Sequence, residues 1–367
     1  MLRCRRGATA VLLLPALLVA GCGTDAPGRD ATVVPSSPSA PSVEEVGQEF
    51  LAGYVTPEGR VVRHDQGGDT VSEGQAYAML VAAGIGDEET FRAVWGWTED
   101  NLRRPDGLLS WRWADGAVVD PSSAADADLD AARALVVAGQ AFDDPDLTAA
   151  GRALGQAVLD LQTVETDSGR VLVAGNWATT APFTYNPSYP SPAAHAVLAE
   201  ASDDPRWAEL DAGTRAVTEA LLDDGALPPD WAEIREDGTV SPTAGPMGRG
   251  GELVYGFDAA RLPVRFAESC DEEDRALAAA LADPLGGAGD AARLDLDGRP
   301  LVDYDSVVAA VAQAAVAAAG GDEDAAAREL ADAAAIDEAT DTYYGAAWNA
   351  LGRLLLTDEA LGGCPPA

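Results

Sequence analysis

From residue 43 to residue 356, apolar positions recur every three or four residues, interrupted by Gly, Pro and Asp. That interval is the helical period. It predicts helices over roughly 43–53, 73–85, 88–103, 126–143, 146–163, 191–202, 205–223, 273–283, 304–319, 322–335 and 338–356. Strand signals are few and short, Val171-Leu172-Val173 among them. So many helices with irregular loops between them describe an all-α body. They are too many for a four-helix bundle, and no repeat of solenoid length is visible. Helices paired into a toroid fit best, without a second domain boundary.

The pattern changes before residue 45. Arg3, Arg5 and Arg6 precede an apolar run from Ala8 to Ala20, too short to span a bilayer. It ends Leu18-Val19-Ala20-Gly21-Cys22, which resembles the bacterial lipobox. That resemblance implies a signal peptide over 1–21, cleavage before Cys22 and a diacylglycerol on its sulfur. The mature chain would then be exported and held at the outer face of the cell membrane by its lipid. Residues 22–44 are rich in Pro, Ser, Ala and Thr and read as a flexible tether. The folded domain is expected over 45–360.

Charge narrows the partners. The 61 acidic and 24 basic residues leave a net charge of -37, which repels nucleic acid and anionic lipid. A neutral or cationic substrate is compatible with it. Cys4 leaves with the signal segment. Cys270 and Cys364 remain as an even pair in an oxidising setting, and a disulfide between them is expected to tie the C-terminal tail to the body. Two histidines, His64 and His195, and no Cys-x-x-Cys give no metal cluster.

Three places join carboxylates to aromatic or apolar runs. Glu73 lies in Val71-Ser72-Glu73-Gly74-Gln75-Ala76-Tyr77-Ala78-Met79. An acid at the mouth of an apolar helix is a candidate proton donor, because burial raises its pKa. Ser-x-x-Gln is equally a plain helix start. Asp126, Asp128 and Asp130 open the helix that runs to Phe142, where the helix dipole alone would favour them. Asp258 precedes Arg261, a spacing that also suits a buried structural ion pair. Between them, Trp111 and Trp113 alternate, and Asn186-Pro187-Ser188-Tyr189-Pro190 forms a rigid turn that would hold Tyr189 outward. Aromatic faces stack on sugar rings while carboxylates and Arg bond the hydroxyls. Together these sites point towards glycoside hydrolysis.

The motifs resemble glycoside hydrolase family 8, the bacterial endoglucanase, chitosanase and oligoxylanase family. Ser72-Glu73-Gly74-Gln75-x-Tyr77-x-Met79 resembles the segment with the family's general acid, placing that role on Glu73. The run from Ala124 to Phe142 resembles the family signature, with its active-site Asp on Asp126. It departs at Ala125, usually Ser or Thr, and at Ala131, usually Ile or Met. Phe257-Asp258-Ala259-Ala260-Arg261 resembles Tyr-Asp-Ala-x-Arg and places the general base on Asp258, with Phe257 replacing Tyr. Ala76 and Ala78 stand where the family favours Gly. Asn186 to Tyr189, Pro229-Asp230-Trp231 and Tyr343-Tyr344-Gly345 match as well, so the likeness spans roughly residues 45 to 357.

The resemblance implies an (α/α)6 barrel and an inverting mechanism without cofactor or metal. Glu73 would protonate the leaving oxygen and Asp258 would activate water. Asp126 would bond sugar hydroxyls, and Arg261 would keep Asp258 ionised. Trp111, Tyr189 and Arg261 are the expected substrate contacts. The substrate expected is a β-1,4-glucan such as cellulose, acted on by a monomer. The alternatives are a chitosanase or xylan-oligosaccharide hydrolase of the same family, or an inactive polysaccharide-binding lipoprotein on the same toroid.

Overall fold

The computed structural model describes residues 41–364 apart from position 224. Segment 1–40, with Cys22 and most of the expected tether, lies outside the described residues. The first half of the described chain contains α1 (Val43–Tyr54), β1 (Thr70–Val71), α2 (Ser72–Gly84), α3 (Glu88–Leu102), β2 (Arg112–Ala114), β3 (Ala117–Asp120), α4 (Ala125–Ala141) and α5 (Pro145–Leu161). Then come β4 (Thr163–Thr166), β5 (Gly169–Leu172), β6 (Phe183–Tyr185), α6 (Pro192–Ser202), α7 (Arg206–Leu222), β7 (Trp231–Ile234) and β8 (Val240–Thr243). A 3-10 turn (Ala259–Arg261) leads into α8 (Leu262–Ala267). The last elements are α9 (Glu272–Ala279), α10 (Ala282–Leu285), α11 (Val307–Ala319), α12 (Glu323–Thr340) and α13 (Tyr343–Thr357).

Burial sorts these helices into two shells. α2 buries 11 of its 13 residues and α4 buries 15 of 17, whereas α12 buries 3 of 18. A helix apolar on all sides needs neighbours on all sides. The inner helices supply them as a closed ring, in which α2 packs on α4, α4 on α6, α6 on α8, α8 on α11, α11 on α13, and α13 on α2. Outside, α3 backs α2, α5 backs α4, α7 backs α6, α9 backs α8, α12 backs α11 and α1 backs α13. This is the expected (α/α)6 barrel. Close approach within the ring requires small residues. A Cβ added to Gly352 of α13 would come within 2.3 Å of Val311 on α11.

Because an outer helix returns the chain after each inner one, the inner helices all run the same way. Their N-termini meet at one end of the barrel. The short strands lie in the loops as three antiparallel sheets, β1-β2-β3, β4-β5 and β6-β7-β8. The sulfurs of Cys270 and Cys364 are bonded at 2.08 Å, fastening the tail beside the end of α8.

Several boundaries differ from expectation. α12 runs on to Thr340, and the chain turns at Asp341, whose φ is 49°, before Thr342 caps α13. The turn and helix over 259–267 lack a long periodic pattern and carry Pro263, so periodicity missed them. Ser72-x-x-Gln75 is not a cap. Val71 holds the N-cap position, and Gln75 is buried, accepting from Val61 N at 2.6 Å and donating to Thr98 Oγ1 at 2.8 Å.

Candidate active site

A cavity of about 470 Å³ opens at the end where the inner helices begin. Glu73 from the start of α2, Asp258 and Arg261 from the 3-10 turn that leads into α8, Val307 from α11 and Tyr343 from α13 line it, with Tyr189 from just before α6. Helix N-termini carry partial positive charge, so carboxylates and developing anions are favoured there.

Glu73 occupies the first turn of α2, partly open to this cavity. Pairing of β1 with β2 sets Val71 opposite Arg112 and brings Trp111 alongside. Ser72 N donates to Trp111 O at 2.8 Å, and the Trp111 indole N–H donates to Glu73 Oε1 at 3.1 Å. Ser72 Oγ donates to the other carboxylate oxygen at 3.1 Å. Burial, with the Asp126 charge nearby, pushes the Glu73 pKa up to about 7. A carboxyl with that value is a competent proton donor near neutral pH.

Asp258 and Asp126 share one cation. Arg261 donates through Nη2 to Asp258 Oδ1 at 2.6 Å and through Nη1 to Asp126 Oδ2 at 2.8 Å. Nη1 also reaches Tyr77 Oη at 3.0 Å. The side chain of Asp258 keeps 32% exposure, while those of Asp126 and Arg261 keep 2% and 4%. Asp258 is thus the carboxylate presented to the cavity, and Asp126 the one beneath it. Burial raises the Asp126 pKa, and the Arg261 guanidinium opposes that rise.

Trp111 does reach the site, by its indole edge on Glu73. A bulge between Arg112 and Trp113 breaks the strand alternation, and Trp113 packs against Trp97 under Arg60 instead. Tyr189 is buried rather than held outward. Its ring lies edge to face with Trp231, with the Arg261 guanidinium 5.3 Å from its centre.

Three supporting residues had no role assigned from sequence. Asp230 Oδ1 accepts from Gly256 N at 2.8 Å and Ala259 N at 2.9 Å, gripping the loop on both sides of Asp258. Burial, then the Asp258 charge, pushes Asp230 up to about 6. Tyr344 Oη donates to Phe257 O at 2.7 Å from the other side. Asp128 accepts from Leu109 N at 2.8 Å and Gln162 Nε2 at 2.7 Å, fixing the strand entry that carries Trp111. Burial pushes Asp128 up to about 8. Asp128, Asp230 and Tyr344 all stood inside motifs already noticed. Only their contacts reveal the work they do. Away from the cavity, carboxylate oxygens of Asp290, Glu329 and Asp332 lie within 4.8 Å of one another.

A ring of paired helices whose cavity faces one carboxyl of raised pKa and one arginine-braced carboxylate offers the two acids that a glycosidase uses. The sequence matches the profile of Glycosyl hydrolases family 8 over residues 37–358, and the chain belongs to that family. It is 35% identical over 237 residues to a probable endoglucanase of Novacetimonas hansenii, covering 62% of this chain and 68% of the relative. To an endoglucanase of Cellulomonas uda it is 29% identical over 225 residues, covering 59% and 61%. The alignments therefore span about two thirds of these relatives' lengths. Among solved structures, an endo-β-1,4-glucanase of Acetobacter xylinum superposes with a TM-score of 0.72 at 26% identity, covering 87% of this chain and 98% of that one. A β-1,3-1,4-glucanase of Paenibacillus sp. X4 shares the fold, with a TM-score of 0.75 at 18% identity, covering 85% and 89%.

Proposed function

We propose that this chain is an inverting endo-β-1,4-glucanase acting on a cellulose-like polysaccharide. The observation that carries the reading is the division of labour between two carboxylates on one cavity. Glu73 holds its proton to about pH 7, while Asp258 is ion-paired with Arg261 and keeps an exposed face. Glu73 protonates the departing glycosidic oxygen. Asp258 takes a proton from water as that water attacks the anomeric carbon from the opposite face. An inverting pair needs its carboxyls about 6.5–9.5 Å apart, leaving room for the water. Asp126, expected to bond sugar hydroxyls, is instead buried beneath Asp258 and acts by holding Arg261 in place. Trp111 and Tyr189 border the cleavage point, and Arg261 orders both acids. The endoglucanase names of the relatives support glucan over xylan or chitosan as the substrate.

Reducing-end assays on carboxymethylcellulose, xylan and chitosan test the reading. Release from carboxymethylcellulose as the α-anomer is expected, and inertness on all three would reject an enzyme. We also propose export and membrane attachment through a lipid on Cys22. Partition of the full chain into detergent, lost in Cys22→Ser, is the expected result. Aqueous partition of both chains would refute the anchor.

A further inference from the structure

The Arg261–Asp126 pair is the uppermost of three. Asp126, Asp130 and Arg133 descend α4 at four- and three-residue steps, so they share a face. Arg261, Arg265 and Glu268 descend at the same steps through the 3-10 turn, α8 and its C-cap. Each residue of the first set meets the one 135 positions further on. Arg261 Nη1 lies 2.8 Å from Asp126 Oδ2, Arg265 Nη2 lies 2.5 Å from Asp130 Oδ2, and Arg133 Nη2 lies 2.7 Å from Glu268 Oε2. A constant offset over two turns requires parallel helices in register. All six side chains are 4% exposed or less.

α6 stands between α4 and α8 in the ring, and Ser191 at its N-cap donates to Glu268 Oε1 of the lowest pair at 3.4 Å, so the two upper pairs bridge α4 and α8 beyond the start of α6. The ladder has functional contacts at both ends. Above, the second nitrogen of Arg261 holds Asp258. Below, Arg133 Nε donates to Leu361 O at 3.0 Å, and Cys364 N donates to Glu268 O at 2.8 Å, beside the disulfide.

We infer that the middle pair, Asp130–Arg265, is a positioning pair for the general base, a role that rests on the reading of Asp258 given above. It touches no substrate and no reacting atom. Buried ion pairs add little net stability over well-packed apolar residues, and their best-attested use is to fix register. α8 has six residues and follows a turn, too short to set its own rotation. A slip of one residue turns a helix by about 100°. That would carry Arg261 off the line between Asp126 and Asp258. Arg265 pins the helix one turn below Arg261, against α4, and so keeps the fork on both carboxylates.

The double variant Asp130→Leu/Arg265→Met removes both charges and keeps apolar bulk. It is expected to fold, with an unfolding midpoint near that of the parent. Its kcat on carboxymethylcellulose is expected to fall at least ten-fold with KM within two-fold. The charged and titratable groups around Arg265 are Asp130 on α4, Tyr77 on α2, and Arg261 and Glu268 on its own segment. A crystal structure of the variant should show Arg261 detached from Asp126 or Asp258. A folded variant with both contacts intact and parental kcat would overturn the inference. If the double variant does not fold, Arg265→Lys decides in the same way: lowered kcat with KM unchanged supports the pair, and parental values refute it. A parent inert on every glycan would defeat the assignment of Asp258, while the crystallographic comparison would still judge the register.

Discussion

Trp111 gives its indole N–H to Glu73 at 3.1 Å, so an aromatic residue expected beneath a sugar also holds the proton donor. The bond fixes one oxygen of the carboxyl and favours its charged form. Replacing Trp111 by Phe keeps a ring and removes the donor. The Glu73 pKa should rise, moving the basic limb of the pH–rate profile upward, and kcat should fall about ten-fold, on the scale of one charge-assisted hydrogen bond. A steady-state pH series measures both.

Glu73→Gln removes the transferable proton while preserving size. General acid catalysis contributes about 10²–10⁴-fold, and kcat should drop within that range while KM changes little. The unfolding midpoint should not fall, because a buried acid with a raised pKa is replaced by a neutral amide. Thermal unfolding beside a reducing-end assay distinguishes catalysis from folding.

The raised pKa of Glu73 fixes two signs. The donor must be protonated, so activity should fall as pH rises through about 7. Stability has the same direction. The ordinary value is 4.5 and the folded value about 7, so within that window the native state binds more protons than the unfolded chain. Stability must therefore decline as pH rises across it. Asp128, moved from 3.8 to about 8, adds a decline of the same sign. Denaturant midpoints from pH 4 to 8 should trace this slope, and Glu73→Gln should make it shallower.

Asp230→Ala leaves the N–H groups of Gly256 and Ala259 without their acceptor. Each bond to a charged group is worth about 1.5–3 kcal/mol. A loss of about 3 kcal/mol, the lower end for two such bonds, is expected, with a larger fractional loss of kcat than of stability, because Asp258 sits between the two freed amides. Urea unfolding and kinetics measured on one preparation compare the two effects.

Reducing the Cys270–Cys364 bridge opens a loop of 94 residues. Chain entropy assigns such a loop about 4.7 kcal/mol, so the melting temperature should fall markedly in dithiothreitol. Cys270→Ser should fall to the same temperature and no longer respond to reductant.

The ring was legible because its inner helices are long and apolar on nearly every side. Glu73, Asp126 and Asp258 were legible because each sits in a short motif at a helix start. Periodicity had little to work with over 259–267, where a proline and a 3-10 turn hide the helix that carries Arg261. It also placed the α12–α13 break early, because that break depends on the left-handed backbone at Asp341. Asp230 and Asp128 looked like ordinary acids. Their value lies in backbone amides that folding brings to them from 26 and 19 positions away. The two tryptophans at 111 and 113 looked equivalent until the bulge between them sent their rings apart.

Because all six inner helices point the same way, the barrel has a working end and a holding end. The chemistry and its cavity occupy the loops at the helix starts, and the disulfide and the tail close the other end. A change of sugar preference can therefore be sought in loops such as the one bearing Phe257, without disturbing the tail latch. Robustness to heat can be sought near Cys364, far along the ladder from the reacting bond. The two properties can be bred separately, with the column of charges between α4 and α8 running from one end towards the other.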